Sequence, residues 1–346
     1  MICTINDFKI IEKIGEGSFG TVYLALFKPT GERVALKRTR KDGTTEKVIE
    51  RFKREAHIML RVQHPSAVRF FGAFETETSL FIVMEYVEGK TLSSIVWDSS
   101  RKFIQDCFAA NGINRNVEEF LANNNWKEIV PDFCGALPES NALRHFVELA
   151  SILKHLHREK KVVHRDIKLE NIIIDPCGHL RLIDFGFSNI EGSSNSSLFE
   201  TACGTVNYAA PEVIKRELYS HKVDVWSSGI ILYAMVTGKL PFFHENLQET
   251  YRQIVNDEPC FPSHLSPQMV ELISLLLTKS PEKRPSFDQI FNLPIMANAV
   301  QEYSDLVNFL LYPPGHDMTV VCDYGKIMKK VSSRAQKEKL LKEFLL

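Results

Sequence analysis

The first stretch of the chain whose residue types suit chemistry is Gly15-Glu-Gly-Ser-Phe-Gly-Thr-Val22. Its three glycines let backbone N–H groups approach a phosphate where larger side chains would clash. Strand-forming residues follow at 21–27, whereas a dinucleotide-binding turn is followed by a helix. The spacing therefore predicts a phosphate-binding flap between two strands. For the motif taken alone, the alternative is a glycine-rich hairpin without a ligand.

Charged residues farther along the chain could bind the same phosphate. Lys37 ends the apolar run Val34-Ala-Leu-Lys37, and a buried ammonium group needs an anionic partner because uncompensated burial of charge is costly. Phosphate oxygens could be this partner, and so could Glu55. Three further motifs follow in the order His164-Arg-Asp-Ile-Lys-Leu-Glu-Asn171, Asp184-Phe-Gly186 and Ala210-Pro-Glu212. Each motif is common by itself, but all five elements in this order are not expected by chance.

The elements that must position these residues change in character along the chain. Residues 8–36 and 68–87 are predicted strands, from apolar alternation and strand-forming residues, and Glu46–Arg61 has helical spacing. Helical spacing also covers 143–158 and dominates 212–292. A β-rich part that precedes an α-rich part indicates two packed lobes of the α+β class.

On these motifs the sequence resembles a eukaryotic protein kinase, and the match runs from about residue 8 to residue 295. The resemblance implies a bilobal α+β protein-kinase fold over 8–295, with a β-rich N-lobe at 8–87 and an α-helical C-lobe at 88–295. Residues 97–136 interrupt the match with six asparagines and no clear period, but they are also aromatic, so we expect a partly ordered insertion. A C-terminal tail, 298–346, follows the domain.

The resemblance implies ATP and Mg²⁺ as cofactors and a role for each matching residue. Lys37 would hold the α- and β-phosphates of ATP, and an ion pair with Glu55 would orient it. Asp166 would accept the proton of the acceptor hydroxyl, and Lys168 would neutralise charge on the transferred group. We expect these four residues to be the catalytic set.

Metal and nucleotide contacts are implied in the same way. Asn171 and Asp184 would ligate Mg²⁺, because both supply hard oxygen atoms. The nucleotide would also contact Gly15, Gly17, Ser18, Gly20, Val22, Ala35, Glu85, Val87 and Ile173. The resemblance further implies two structural roles: a buried ion pair between Glu212 and Arg284, and an anchor for the catalytic loop at Asp224.

Substrate class and regulation also follow from the resemblance. Lys168 and the run Gly204-Thr-Val-Asn-Tyr208 resemble kinases that act on serine and threonine, so the expected substrates are protein Ser/Thr hydroxyls. The segment around Thr201 resembles AMP-activated/sucrose-non-fermenting kinases of the calcium/calmodulin-dependent group. Thr201 is the predicted activating phosphosite for an upstream kinase, with Arg165 and Arg51 as phosphate partners. A solvated Ser/Thr loop is the alternative.

Composition excludes other classes of function. Lys and Arg number 42 against 43 Asp and Glu, and the net charge of −1 excludes a whole-molecule nucleic-acid binder. Seven scattered cysteines without a CxxC pair argue against a disulfide framework or a zinc site and for a reducing compartment. We expect a protein of the cytoplasm, or of the nucleus, without a signal peptide or transmembrane segment.

The end of the chain is strongly basic. Between Lys326 and Lys342 seven Lys and Arg residues face only Glu338, with apolar residues at roughly helical spacing. Such a helix at 326–345 could bind calmodulin or an anionic membrane, but a helix docked on the kinase domain or free in solvent is the favoured interpretation. The alternative function for the whole chain is a nucleotide-binding scaffold that signals through this tail.

Overall fold

The computed structural model describes residues 4–17, 20–42, 45–110, 137–190 and 206–311. This part of the chain divides into two compact units. The first contains residues 4–88, Ile183–Asn189 and 304–311, and the second contains Gly89–Leu182 and Ile190–Tyr303. Among the described residues, no helix combines the length and the apolar character that a membrane span requires.

A five-stranded antiparallel sheet forms the body of the first unit. Its strands are β1 (Phe8–Gly17), β2 (Gly20–Phe27), β3 (Glu32–Arg40), β4 (Phe70–Glu75) and β5 (Ser79–Glu85). They lie in the spatial order β1-β2-β3-β5-β4, and helix α1 (Glu46–Arg61) follows β3 along the chain. The strands and the helix predicted for this part of the sequence are confirmed.

Stacked aromatic rings hold one face of this sheet. The ring centroids of Phe8 and Phe74 are 5.6 Å apart, and those of Phe74 and Phe81 are 4.9 Å apart. Leu36 on β3 is fully buried in the same cluster. Because successive side chains on a strand point to opposite faces, the next residue, Lys37, must project from the other face of the sheet. Packing of the aromatic core therefore decides where the lysine points.

Helices make up most of the second unit. They are α2 (Leu92–Ala110), α3 (Glu139–His155), α4 (Pro211–Ile214), α5 (Lys222–Thr237), α6 (Leu247–Asn256), α7 (Pro267–Leu276), α8 (Phe287–Phe291) and the first half of α9 (Ala297–Leu311). The short strands are β6 (Lys90–Thr91), β7 (Val162–Val163), β8 (Ile172–Ile174), β9 (Leu180–Leu182) and β10 (Asn189–Ile190), of which β6, β8 and β9 form one antiparallel sheet. Every residue of α5 after Lys222 is buried, as expected of a helix at the centre of a core.

Helix α2 continues into the predicted insertion. Thr91 is the N-cap of this helix: its Oγ1 accepts a hydrogen bond of 3.1 Å from the N–H of Ser94. Val96, Ser100 and Ile104 follow at intervals of four residues and are all buried. Ser100 breaks the apolar pattern in the sequence, but its hydroxyl donates to the carbonyl of Val96 at 2.8 Å and is thereby satisfied. Residues 97–110 are therefore regular helix, and 111–136 lie outside the described residues.

The helix predicted at 143–158 has different ends in the structure. Helix α3 starts earlier, at Glu139, and its α-helical hydrogen bonding stops at His155. A π-helical turn over Leu156–Lys160 follows, and Lys161 ends it in the left-handed conformation, with φ of 55°. The wider turn keeps helical spacing in the sequence, which is why spacing alone does not reveal where the α-helix ends.

The ion pair predicted between Glu212 and Arg284 is confirmed. Two guanidinium nitrogens donate to the two carboxylate oxygens at 2.8 and 3.1 Å, and both side chains are almost completely buried. The guanidinium also donates to the carbonyls of Thr278 and Lys222, at 3.0 and 2.7 Å. The pair thus links the start of α4 to the segment before α8, and all three guanidinium nitrogens of Arg284 donate hydrogen bonds.

Arg284→Met should lower the free energy of unfolding by about 3–5 kcal/mol, because it leaves the Glu212 carboxylate buried without a counter-charge. Urea denaturation followed by circular dichroism measures this loss. Arg252→Met is the matched control, since Arg252 makes an equally short bidentate pair with Asp257, both distances 2.8 Å, on the exposed surface of α6. That control should change stability little, and equal losses in the two variants would contradict the assigned role of burial.

Candidate active site

Three of the predicted site residues meet within the first unit. The Nζ of Lys37 lies 2.6 Å from Oε1 of Glu55 and 3.1 Å from Oδ1 of Asp184. The same Oδ1 accepts a hydrogen bond of 2.9 Å from the N–H of Gly186. A Cβ atom at position 186 would lie only 3.2 Å from that oxygen, so glycine suits the close approach. The strand lysine therefore has two carboxylate partners, as the predicted ion pair with Glu55 requires.

Local sequence explains why these charged groups are buried together. Glu55 lies on α1 between Phe52 and Met59, within the stripe of the helix that faces the interior. Lys37 is paired across the sheet with Val22 on β2 and with Ile82 on β5, and only 7% of it is exposed. Both side chains are buried, so each provides a counter-charge for the other.

The charge state of Lys37 follows from its partners. Burial by itself lowers the pKa of Lys37, but the carboxylates of Asp184 and Glu55 outweigh burial and raise this pKa above its usual value. The ammonium group therefore stays protonated across the physiological pH range. A permanent cation between two carboxylates is suited to bind a polyanion that displaces one of them.

The predicted phosphate-binding glycines form the end of a hairpin. Gly17 closes β1 and is paired with Gly20, the first residue of β2, while Gly15 is paired with Val22. Gly20 has φ of 144°, and a Cβ atom there would lie 2.1 Å from the carbonyl oxygen of Arg38, so only glycine fits. The predicted hairpin of two strands is confirmed, its phosphate-binding role stays a prediction, and Ser18 lies outside the described residues.

The remaining residues predicted to contact the nucleotide lie on or near β3 and β5 of the first unit, with one exception. Ala35 is paired with Met84, and Val87 is buried two residues after β5 ends at Glu85. The N–H of Glu85 already donates to the carbonyl of Arg69 at 2.9 Å, so this donor is not available to a nucleotide. The exception is Ile173, which lies on β8 of the second unit.

A second group of predicted site residues meets within the second unit. Oδ2 of Asp166 accepts from Nζ of Lys168 at 2.7 Å and from Nδ2 of Asn171 at 2.9 Å. Nδ2 of Asn171 also donates to the carbonyl of Asp166 at 2.8 Å, which leaves the amide oxygen of Asn171 for another ligand. Oδ1 of Asp166 is buried and makes no hydrogen bond within the part of the chain that the structure describes. One carboxylate oxygen is thus held in place, and the other is left to accept a proton.

Asp224 anchors the loop that carries this group, as predicted. Its two carboxylate oxygens accept from the backbone N–H groups of His164 and Arg165, each at 2.8 Å. Arg165 adopts a left-handed conformation, with φ of 71°, which these bonds support against its backbone strain. Sequence reasoning missed His157, whose Nε2 lies 2.8 Å from Asp224. Burial opposes ionisation, but the hydrogen bond with His157 helps to lower the pKa of Asp224 below its usual value.

The predicted phosphosite and the basic tail are not among the residues that the structure describes. Thr201 and the basic segment 326–345 both lie outside the described residues. Of the residues expected to bind a phosphorylated Thr201, Arg51 packs its guanidinium over the ring of Phe187 at 5.1 Å, and Arg165 packs over the ring of Tyr219 at 5.3 Å.

The site residues described above have side chains whose chemistry fits ATP and Mg²⁺. The amide oxygen of Asn171 and the carboxylate of Asp184 are hard oxygen ligands of the kind that Mg²⁺ prefers. Lys37 is a fixed cation suited to phosphate oxygens, and a glycine-rich turn suits the close approach of backbone N–H groups to a phosphate. Within each unit the residues present therefore match the cofactors that the sequence predicts.

Comparison with known families decides the identity. The family model for the protein kinase domain matches residues 8–118 and 104–296. The chain belongs to the protein kinase family. The predicted α+β kinase fold is thereby confirmed, with a sheet in the N-lobe and helices in the C-lobe.

Curated relatives of this kinase domain carry related names. It is 32% identical over 86% of its length to the probable serine/threonine-protein kinase MARK-A of Dictyostelium discoideum, and 36% identical over 80% to the human hormonally up-regulated neu tumor-associated kinase. It is also 31% identical over 81% of its length to the cAMP-dependent protein kinase type 3 of Saccharomyces cerevisiae. The chain spans 25%, 35% and 61% of the lengths of these three relatives.

Glu55→Leu should lower the free energy of unfolding by about 2–3 kcal/mol, because Lys37 keeps only its partly exposed partner Asp184. The double variant Lys37→Met/Glu55→Leu should recover most of that loss, since an apolar pair replaces the buried charges. It should nevertheless fail to bind Mg·ATP in isothermal titration calorimetry. A double variant that binds Mg·ATP as the wild type does would show that Lys37 makes no phosphate contact.

Proposed function

We propose that the chain is an ATP-dependent protein kinase that phosphorylates serine and threonine hydroxyls of protein substrates. One observation carries this proposal: the buried Asp166 carboxylate has one oxygen fixed by Lys168 and Asn171, and the other has no hydrogen bond to any residue that the structure describes. A base held in this way can receive a proton from one direction only. The names of the relatives support the same reaction.

The residues of the second unit would act on the acceptor. Oδ1 of Asp166 would accept the hydroxyl proton as the hydroxyl oxygen bonds to the γ-phosphorus and the bond to the ADP oxygen breaks. Lys168 would neutralise the charge that builds on the transferred group. The reaction thus converts ATP and a hydroxyl into ADP and a phosphate ester, with the proton on Asp166.

The residues of the first unit would act on the nucleotide. Lys37, kept in position by Glu55, would bind the α- and β-phosphates, and the backbone of the Gly15–Gly20 turn would cover them. Asp184 of this unit would ligate Mg²⁺, which neutralises phosphate charge when bound, and Asn171 of the second unit would be a further Mg²⁺ ligand. Phosphoryl transfer depends mainly on positioning and charge stabilisation, so this set is sufficient for it.

A nucleotide-binding scaffold is the second candidate function. Such a protein needs a phosphate-binding lysine, but it does not need a proton acceptor. The oriented carboxylate of Asp166 therefore favours the enzyme. The two candidates differ in whether nucleotide binding is accompanied by phosphate transfer.

Asp166→Ala should reduce phosphate transfer by about 10²–10⁴-fold, because it removes the proton acceptor, while Mg·ATP binding stays close to that of the wild type. Radiolabelled phosphate transfer to a positional-scanning peptide library measures the rate and the acceptor residue together. Asp288→Asn is the control, since Asp288 is a surface aspartate paired with Lys154. Wild-type protein that binds Mg·ATP and phosphorylates no peptide would favour the scaffold.

We also propose that the kinase falls within the calcium/calmodulin-dependent group, close to AMP-activated/sucrose-non-fermenting kinases, and that an upstream kinase activates it at Thr201. The motif around Thr201 supports the proposal, as does Arg165 next to the catalytic base. A cytoplasmic location and calmodulin binding at 326–345 stay predictions; a pull-down with and without Ca²⁺ tests the second.

Thr201→Ala should lower the activity of protein isolated in its active form by about tenfold, because it removes the phosphate that would pair with Arg165. Mass spectrometry of the active enzyme should find Thr201 phosphorylated. Ser196→Ala, in the same segment, is the control and should retain activity. Active enzyme with unmodified Thr201 would contradict the proposal.

A further inference from the structure

A buried glutamate outside the predicted site holds the turn between β8 and β9. Glu148 lies on α3 and is only 2% exposed. One carboxylate oxygen accepts the N–H of Leu180 at 2.7 Å, and the other lies 3.0 Å from Nδ1 of His179. A buried carboxylate is stable only when its oxygens are satisfied in this way. Both oxygens of Glu148 therefore bond to consecutive residues at the end of the turn between β8 and β9.

The same face of α3 makes a third contact with the turn. Arg144, one helical turn before Glu148, donates to the carbonyl of Gly178 at 3.2 Å. Gly178 has φ of 83°, and a Cβ atom there would lie 3.2 Å from the Arg144 guanidinium, so glycine is needed for the approach. Within the turn, Oδ1 of Asp175 accepts the N–H groups of Cys177 and His179, at 3.0 and 2.9 Å. The turn is therefore rigid and attached to α3 at three points.

The position of this turn in the chain connects it to catalysis. Strand β8 begins at Ile172, directly after Asn171, and β9 ends at Leu182, two residues before Asp184. We propose that Glu148 is a positioning residue that, through His179 and Leu180, holds the hairpin leading from one magnesium ligand to the other. We call the contacts of Glu148 with His179 and Leu180 the clamp. The proposal rests on the function proposed above, because the clamp can assist metal binding only if Asn171 and Asp184 bind the metal.

Charge makes this clamp sensitive to pH. The hydrogen bond to Glu148 is the largest influence on His179 and raises its pKa above the usual value, although burial opposes this. The other charged or titratable groups that face the pair are His145, with Nδ1 3.7 Å from Glu148, and Asp175 and Arg144 of the turn contacts. Burial opposes ionisation, but the nearby His145, the hydrogen bond with His179 and the bond from the N–H of Leu180 lower the pKa of Glu148, so it stays ionised.

The direction of the pH effect follows from these shifts. A histidine whose pKa is raised by folding stabilises the folded state most below its unfolded pKa, and that contribution disappears as pH rises through the folded pKa. The clamp should therefore be tightest near pH 6 and weaker near pH 8. Neutral His179 can still donate from Nδ1, so the clamp weakens at high pH but does not open.

Hydrogen–deuterium exchange of the Leu180–Leu182 amides in the nucleotide-free protein tests the clamp itself. His179→Ala and Glu148→Gln should accelerate exchange about tenfold at pH 6, the effect of losing about one hydrogen bond. His179→Asn keeps a neutral donor and should remove only the difference between pH 6 and pH 8. His155→Asn is the matched control, because the pair of His155, the last residue of α3, with Glu159 has the same 3.0 Å separation and is distinct from the three contacts described for the turn. Unchanged exchange in the first two variants would overturn the clamp.

Magnesium dependence of ATP binding tests the positioning role without using catalysis. In calorimetric titrations, the Mg²⁺ concentration that half-saturates ATP binding should rise several-fold in His179→Ala and Glu148→Gln, and stay at the wild-type value in His155→Asn. Faster exchange with unchanged Mg²⁺ dependence would reduce Glu148 to a purely structural residue and overturn the proposal. Wild-type protein that binds Mg·ATP but transfers no phosphate would instead count against the proposed function alone.

Discussion

A charged side chain inside a protein must have a partner, and this requirement organises both units of the kinase domain. Desolvation makes an unpaired buried charge cost several kcal/mol, about as much as the whole net stability of a small domain. Lys37 is buried because the aromatic core takes the opposite face of β3, and it is tolerated because Glu55 lies on the inward stripe of α1. The geometry of a phosphate-binding cation thus follows from where the sheet must be apolar.

The second unit meets the same requirement with carboxylates in place of a lysine. Asp224 lies in the first turn of the central helix α5, and its two oxygens accept the backbone N–H groups of the two residues before Asp166. Its bonds compensate the left-handed backbone at Arg165, which a free loop would not maintain. Glu148 does for the β8–β9 turn what Asp224 does for the loop. In each case a buried acid on a helix holds irregular backbone next to functional residues, so the helices define the position of the loop and of the turn.

Local pattern in the sequence was sufficient for much of this structure. Alternation, strand-forming residue types and helical spacing predicted β1–β5 and α1, because these patterns report secondary structure from neighbouring residues alone. Asp166, Lys168 and Asn171 lie within six residues of one another, so their convergence needs only a tight loop. The pair of Glu212 and Arg284, and the anchor at Asp224, were predicted from family motifs and not from any local pattern.

The sequence alone determined which residues could do the chemistry, because residue type and spacing specify charge, ligand class and backbone freedom at each position. Tertiary structure alone decided which of their atoms remain available: the N–H of Glu85 is taken by Arg69, and Oδ2 of Asp166 by Lys168 and Asn171. It also revealed His157 and Glu148 as supports, because their partners lie tens of residues away. Contacts over such separations depend on how whole helices pack, and no local period in the chain records that.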